Sequence, residues 1–118
     1  MRQVAVLVTA AALLAPAAVA YAHVDLQSVS PRKNSTRQAV REVHATFKSS
    51  LTTGIITIKT SSGREVPLRS SGLKRDNKRV LQAIPRSQLA SGSYKVEWRA
   101  LAPDGHRQRG SWSFRVQR

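Results

Sequence analysis

From residue 24 onward the chain is a succession of short stretches in which apolar and polar positions alternate. Val43, Ala45 and Phe47 alternate with Glu42, His44 and Thr46. Tyr94, Val96 and Trp98 alternate with Lys95, Glu97 and Arg99, and Trp112, Phe114 and Val116 do so with Ser113 and Arg115. Successive side chains of a strand point to opposite faces, so each stretch predicts a strand with one face buried and one in water, as in antiparallel sheets. The strands predicted are residues 24–30, 40–47, 54–60, 64–68, 79–84, 94–99 and 112–116. Pro31 with the polar run 32–36, the turn Ser61-Ser62-Gly63, Pro85 and Gly92 separate them. Residues 70–78 are polar and contain a glycine, and are expected to be a loop. About seven antiparallel strands and no long helix predict an all-β domain, a two-sheet sandwich or a small barrel. Both tryptophans fall at the inward phase of their strands and are expected in the core.

The start of the chain has a different pattern. Met1-Arg2 supplies a positive charge, residues 4–20 are nearly all apolar, and Ala20-Tyr21-Ala22 is a small-x-small cleavage signature. Residues 1–22 are therefore expected to be a signal peptide that is cleaved. Pro16 and the small-residue end argue against a membrane-spanning helix. Removing 22 of the 118 residues leaves 96, beginning at His23, enough for a single domain, 23–118, with its own core. No later apolar run is long enough to span a bilayer, so a soluble protein is expected.

Composition narrows the chemistry. The absence of cysteine excludes a disulfide-stapled scaffold and any thiolate metal site. The formal charge of +14 falls to +13 when Arg2 leaves with the leader, which favours anionic partners. An export signal argues against nucleic acid as the partner, as does the lack of aromatic residues interleaved with the basic ones. No Ser-His-Asp set, phosphate loop or nucleotide fingerprint is present, and the chain is not expected to be an enzyme.

Three histidines remain: His23, His44 and His106. Cleavage after Ala22 makes His23 the new N-terminus, so that its α-amine and ring Nδ1 can chelate one metal ion. Both nitrogens must lose a proton to bind, and the amine's ordinary pKa of about 7.7–8.0 makes this easy near neutrality. Asp104 and His106 stand two apart in Ala102-Pro103-Asp104-Gly105-His106, with Gly105 letting the backbone bend between them. In an extended segment that spacing offers a carboxylate and an imidazole on one side; as a turn, Asp-Gly reads as a hairpin. With His23 the set is three nitrogens and one oxygen, which suits tetragonal Cu(II). The softer ligands that Cu(I) prefers are missing, because the only methionine is Met1. His44 falls at an outward phase and reads as a surface histidine. Asp25 is read as a surface carboxylate, with a further ligand or a hydrogen-bond acceptor at the site as the alternatives.

Several stretches carry a family resemblance: His23-Val24-Asp25-Leu26, Ser28-Val29-Ser30-Pro31 and Val43-His44-Ala45-Thr46-Phe47. Further on come Leu89 to Arg99 with its Gly92-Ser93-Tyr94-Lys95-Val96-Glu97-Trp98 core, then Asp104-Gly105-His106 and Gly110-Ser111-Trp112-Ser113-Phe114. Together they make the chain resemble the CopC family of periplasmic copper-resistance proteins over nearly all of residues 23–118. The resemblance implies a Greek-key, immunoglobulin-like β-sandwich or barrel. It implies one Cu(II) held by the amine and ring of His23 with Asp104 and His106. It also implies a carrier or buffer in copper homeostasis and resistance, in the periplasm, or extracellular or at the cell surface if the host has a single membrane; a soluble monomer is expected. A copper-transporting inner-membrane protein or a copper oxidase would be its partner. The chain departs from the family at Lys48-Ser49-Ser50, where a Ser-Glu-Pro-like stretch is common, and at Arg107, where a proline often follows the histidine. Two other functions fit parts of the pattern: a copper-dependent oxidative enzyme with an N-terminal histidine brace, and a basic module that binds the cell envelope.

Overall fold

The structure is a computed structural model, and the residues it describes are 25–118. The expected leader 1–22, His23 and the first residue of the first expected strand lie outside the described residues.

Eight strands follow one another: β1 (Leu26–Ser30), β2 (Thr36–Arg37), β3 (Val43–Phe47), β4 (Thr53–Thr60), β5 (Leu68–Lys74), β6 (Asn77–Pro85), β7 (Gly92–Leu101) and β8 (Arg107–Val116). They form two sheets, in the orders β1-β3-β6-β5 and β2-β8-β7-β4. All pairings are antiparallel except the short β2, which runs parallel to β8. Only β5–β6 and β7–β8 are hairpins within one sheet; every other connection crosses between the sheets. The architecture is the all-β Greek-key sandwich that the alternation and the resemblance predict. No helix of the described residues is long and apolar enough to cross a membrane.

The alternating positions meet between the sheets. Val43, Ala45 and Phe47 of β3 and Leu81 and Ala83 of β6 face Ile56 and Ile58 of β4, Tyr94, Val96 and Trp98 of β7, and Trp112, Phe114 and Val116 of β8. Phe47 meets Trp98 edge to face with ring centroids 5.0 Å apart, and Tyr94 stacks on Phe114 at 5.6 Å. The buried polar tips find partners: Trp112 Nε1 donates to Pro31 O at 2.9 Å and Tyr94 Oη donates to Ala90 O at 2.6 Å. Gly110 lies opposite Trp98 in the β7–β8 register, and a Cβ there would come within 2.5 Å of the indole. Its lack of a side chain is what lets the tryptophan lie down on β8.

Three local expectations are corrected. Residues 70–78, expected as a loop, are the greater part of β5, its turn, and the start of β6. Residues 64–68, expected as a strand, contribute only the isolated bridge Lys59↔Glu65 and the first residue of β5. The two-residue β2 sits at the end of the polar run, where no strand is predicted. The cause at β5 is visible in its packing. It is an edge strand, and its inward-facing Ser71 hydroxyl accepts from Ile56 N at 2.7 Å and donates to Ile56 O at 2.6 Å. A serine thus does inside this strand what a hydrophobic residue does elsewhere, and the apolar signal is lost.

Candidate metal centre

Backbone hydrogen bonds gather several chain segments at one end of the sandwich. The amide of Lys48 donates to Asp25 O at 2.8 Å, that of Leu51 to Lys78 O at 2.9 Å, and that of Thr52 to Leu101 O at 2.8 Å. The β3–β4 connection therefore touches the start of β1, the β5–β6 hairpin and the base of the β7–β8 hairpin. Thr52 is only four positions beyond Lys48, a span of at most about 14 Å when fully extended. Arg79 adds a side-chain tie at this end. Its Nε donates to Phe47 O at 3.0 Å and its Nη2 to Gln27 Oε1 at 2.9 Å, pinning β1 beside β3 where the register of β1 shifts.

Asp104 and His106 occupy the tip of the β7–β8 hairpin. Ala102 N donates to His106 O and Gly105 N to Ala102 O, both at 2.9 Å, which closes the turn. Gly105 has φ of +89°, a left-handed conformation open to glycine at little cost. The two side chains come together through this turn, and not through an extended segment. Asp104 Oδ1 accepts from the His106 amide at 3.0 Å, and Oδ2 lies 2.8 Å from His106 Nδ1. The hydrogen bond to the imidazole, with that to the His106 amide, holds the Asp104 carboxyl below its ordinary value of 3.8. A metal bound by Asp104 and His106 together would enter between Nδ1 and Oδ2, in the place of the proton that links them, so its binding would release that proton.

Asp104 and His106 are two of the three expected metal ligands. Among the described residues no group of three or more His, Cys, Asp or Glu side chains is arranged to hold a metal. The expected third residue, His23, lies outside the described residues. Asp25, exposed, sits at the same end with its carbonyl bonded to Lys48. His44 is not part of this end. It stands near the start of β3, opposite Ser30 and Gln82, with Nε2 3.4 Å from Glu42 Oε1 and 3.3 Å from Gln82 Nε2. Arg79 and Gln27 were not legible as positioning residues, because nothing in their own pattern marks a contact across 52 positions.

The CopC domain family matches residues 26–117, which include the whole sandwich and the hairpin tip. The chain belongs to the CopC family. Copper resistance protein C of Escherichia coli is 28% identical over 106 residues, covering 83% of this chain and 84% of that protein. Among solved structures, CopC from Methylosinus trichosporium OB3b superposes with a TM-score of 0.69 at 29% identity, covering 80% of this chain and 94% of that one. PcoC from Escherichia coli, described as a methionine-rich copper resistance protein, superposes with a TM-score of 0.68 at 26% identity over 81% of this chain and all of that one. This CopC domain lacks the methionine richness, since residues 2–118 contain none.

Proposed function

We propose that this CopC-family chain is an exported Cu(II) carrier or buffer of copper homeostasis and resistance. It acts as a monomer in the periplasm after removal of residues 1–22. Copper is its cargo, held by the amine and ring of His23 together with Asp104 and His106. The observation that carries the reading is the 2.8 Å contact between Asp104 and His106 on a hairpin tip at the end of the sandwich where β1 begins. His23 is two residues ahead of Asp25, a further backbone reach of about 7 Å plus its side chain. The donor chemistry fits: nitrogen and carboxylate ligands with no sulfur suit Cu(II) over Cu(I). The relatives named for copper resistance support copper as the metal. The receiving protein is proposed to be a copper-transporting inner-membrane protein or a copper oxidase. No enzymatic turnover is proposed.

The test uses the exported protein, its N-terminal residue established by mass spectrometry. Titration with Cu(II), followed by the visible d–d band and electron paramagnetic resonance, should give a tight one-to-one complex with nitrogen ligands. One additional residue ahead of His23 displaces the amine from the chelate and should weaken binding by more than about a hundredfold, beyond what loss of a ligand's hydrogen-bond partner produces. Equal binding by the extended and native proteins would remove the amine from the site.

A further inference from the structure

Two neighbouring clusters on the outer face of the second sheet treat positive charge in opposite ways. Lys59 of β4 and Lys95 of β7 face each other across the strands, and Glu97 lies between them, 3.3 Å from Lys59 Nζ and 3.8 Å from Lys95 Nζ. Nearer the hairpin tip, Arg99 of β7 is directly opposite Arg109 of β8, and Arg107 is paired with the next residue on that face, Leu101. Like charges placed directly across a ladder repel and destabilise the pair. Among the described residues no carboxylate lies within 4.0 Å of Arg99, Arg107 or Arg109. All three are exposed. On the other side of Arg99, in register with it, is Ile55, 49% exposed and one of two large hydrophobic residues left in solvent among the described residues. A shallow depression of about 610 Å³ joins Ile55, Leu101 and the three arginines.

We propose that this face of β4, β7 and β8 docks on an anionic lipid bilayer. The repulsion built into the Arg99–Arg109 rung is relieved when phosphate groups come between the guanidinium groups, which bind them in two-pronged fashion. Ile55 and Leu101 stand among the cations on an open face, the arrangement that lets apolar side chains enter the interfacial layer while arginines meet the headgroups. A plane of many negative charges also matches a strongly basic chain, +14 in full and +13 without Arg2, better than a single acidic loop would. Docked this way, the hairpin tip lies beside the headgroups. The proposal stands independently of whether that tip holds copper.

The test is co-sedimentation of the exported protein with vesicles of phosphatidylglycerol and phosphatidylethanolamine, and with phosphatidylcholine vesicles as the neutral arm. Binding is expected to the anionic vesicles alone, and to fall when salt is raised from ~0.1 M to ~1 M, which shortens the screening length from about 10 Å to about 3 Å. Each arginine brought to an anionic leaflet contributes about fivefold, so Arg99→Gln, Arg107→Gln and Arg109→Gln together should weaken binding by on the order of a hundredfold. The control is Arg32→Gln, Arg41→Gln and Arg64→Gln, three exposed arginines at the opposite end with the same change in charge. It should lose less than about tenfold. Ile55→Ser should weaken vesicle binding several-fold with the charge unchanged. Equal losses in the two triple variants would reduce the effect to diffuse attraction and overturn the proposal. So would an unchanged Ile55→Ser, or capture by soluble polyglutamate with no binding to vesicles, which would assign the face to an acidic protein.

Discussion

His44 and His106 each lie beside a carboxylate, yet the fold gives them different surroundings. His44 is on the outer face of β3 with its side chain 25% exposed, flanked by Glu42 and by Gln82, whose Nε2 also donates to Glu42 at 2.8 Å. Its neighbours in the sheet are β1 and β6, so any ligand would have to approach from the outer face. His106 is on a hairpin tip, its side chain 43% exposed, and its carboxylate partner comes from the same turn. A tip can be approached from several sides, and this one is at the end where the chain begins its first strand. The lesson is that a histidine next to an acid is no site by itself. What distinguishes the two is how many directions are open for a further ligand to approach.

The largest expected effect separates the pair directly. His106→Ala should weaken Cu(II) binding by more than about a hundredfold, as expected for a lost ligand against the 10–100-fold of a lost hydrogen-bond partner, and His44→Ala should leave it unchanged within error. A Cu(II) titration of the two variants reads this out, and equal losses would erase the distinction. A smaller effect is expected at Gly105. A Cβ there meets nothing within 4 Å, so Gly105→Ala carries only the left-handed backbone penalty of about 1 kcal/mol. Thermal or urea unfolding should show that loss. The copper affinity should fall along with it, because the same turn aligns Asp104 with His106, whereas no glycine supports His44. The smallest effect concerns protons. The Asp104 carboxyl is held below 3.8, chiefly by its hydrogen bond to the His106 side chain, so its charged form favours the folded hairpin. That contribution is fully present above the carboxyl's unfolded value and disappears as pH falls through the lower folded one. An NMR titration of the metal-free protein should find Asp104 titrating below 3.8. In His106→Ala the midpoint should move up.

The parts of this molecule that could be read from its sequence are those where one residue type serves one purpose. Phe47, Trp98, Trp112 and Phe114 are large, inward and regularly spaced, and β3, β7 and β8 followed from them. Asp104-Gly105-His106 was legible for the same reason: short spacing, and side chains that act on each other within one turn. The illegible parts depend on contacts between distant positions. β5 hides behind Ser71, whose role exists only because Ile56 of the other sheet is next to it. The arginine rung exists only through the β7–β8 register. Arg79 looks like any of the other basic residues until folding brings the Gln27 side chain within 2.9 Å of its guanidinium.

The hydroxyl of Ser71 has one more implication. β4 and β5 are the outer strands of their sheets on the same side of the sandwich, each with a row of peptide groups that could recruit a strand from another molecule. By accepting from Ile56 N and donating to Ile56 O, one side chain fills the place of a neighbouring strand at the middle of β4. The seam is zipped from within. That leaves β1 as the ragged flank of the first sheet, which keeps the molecule's sociable edge next to its own beginning and away from its neighbours' middles.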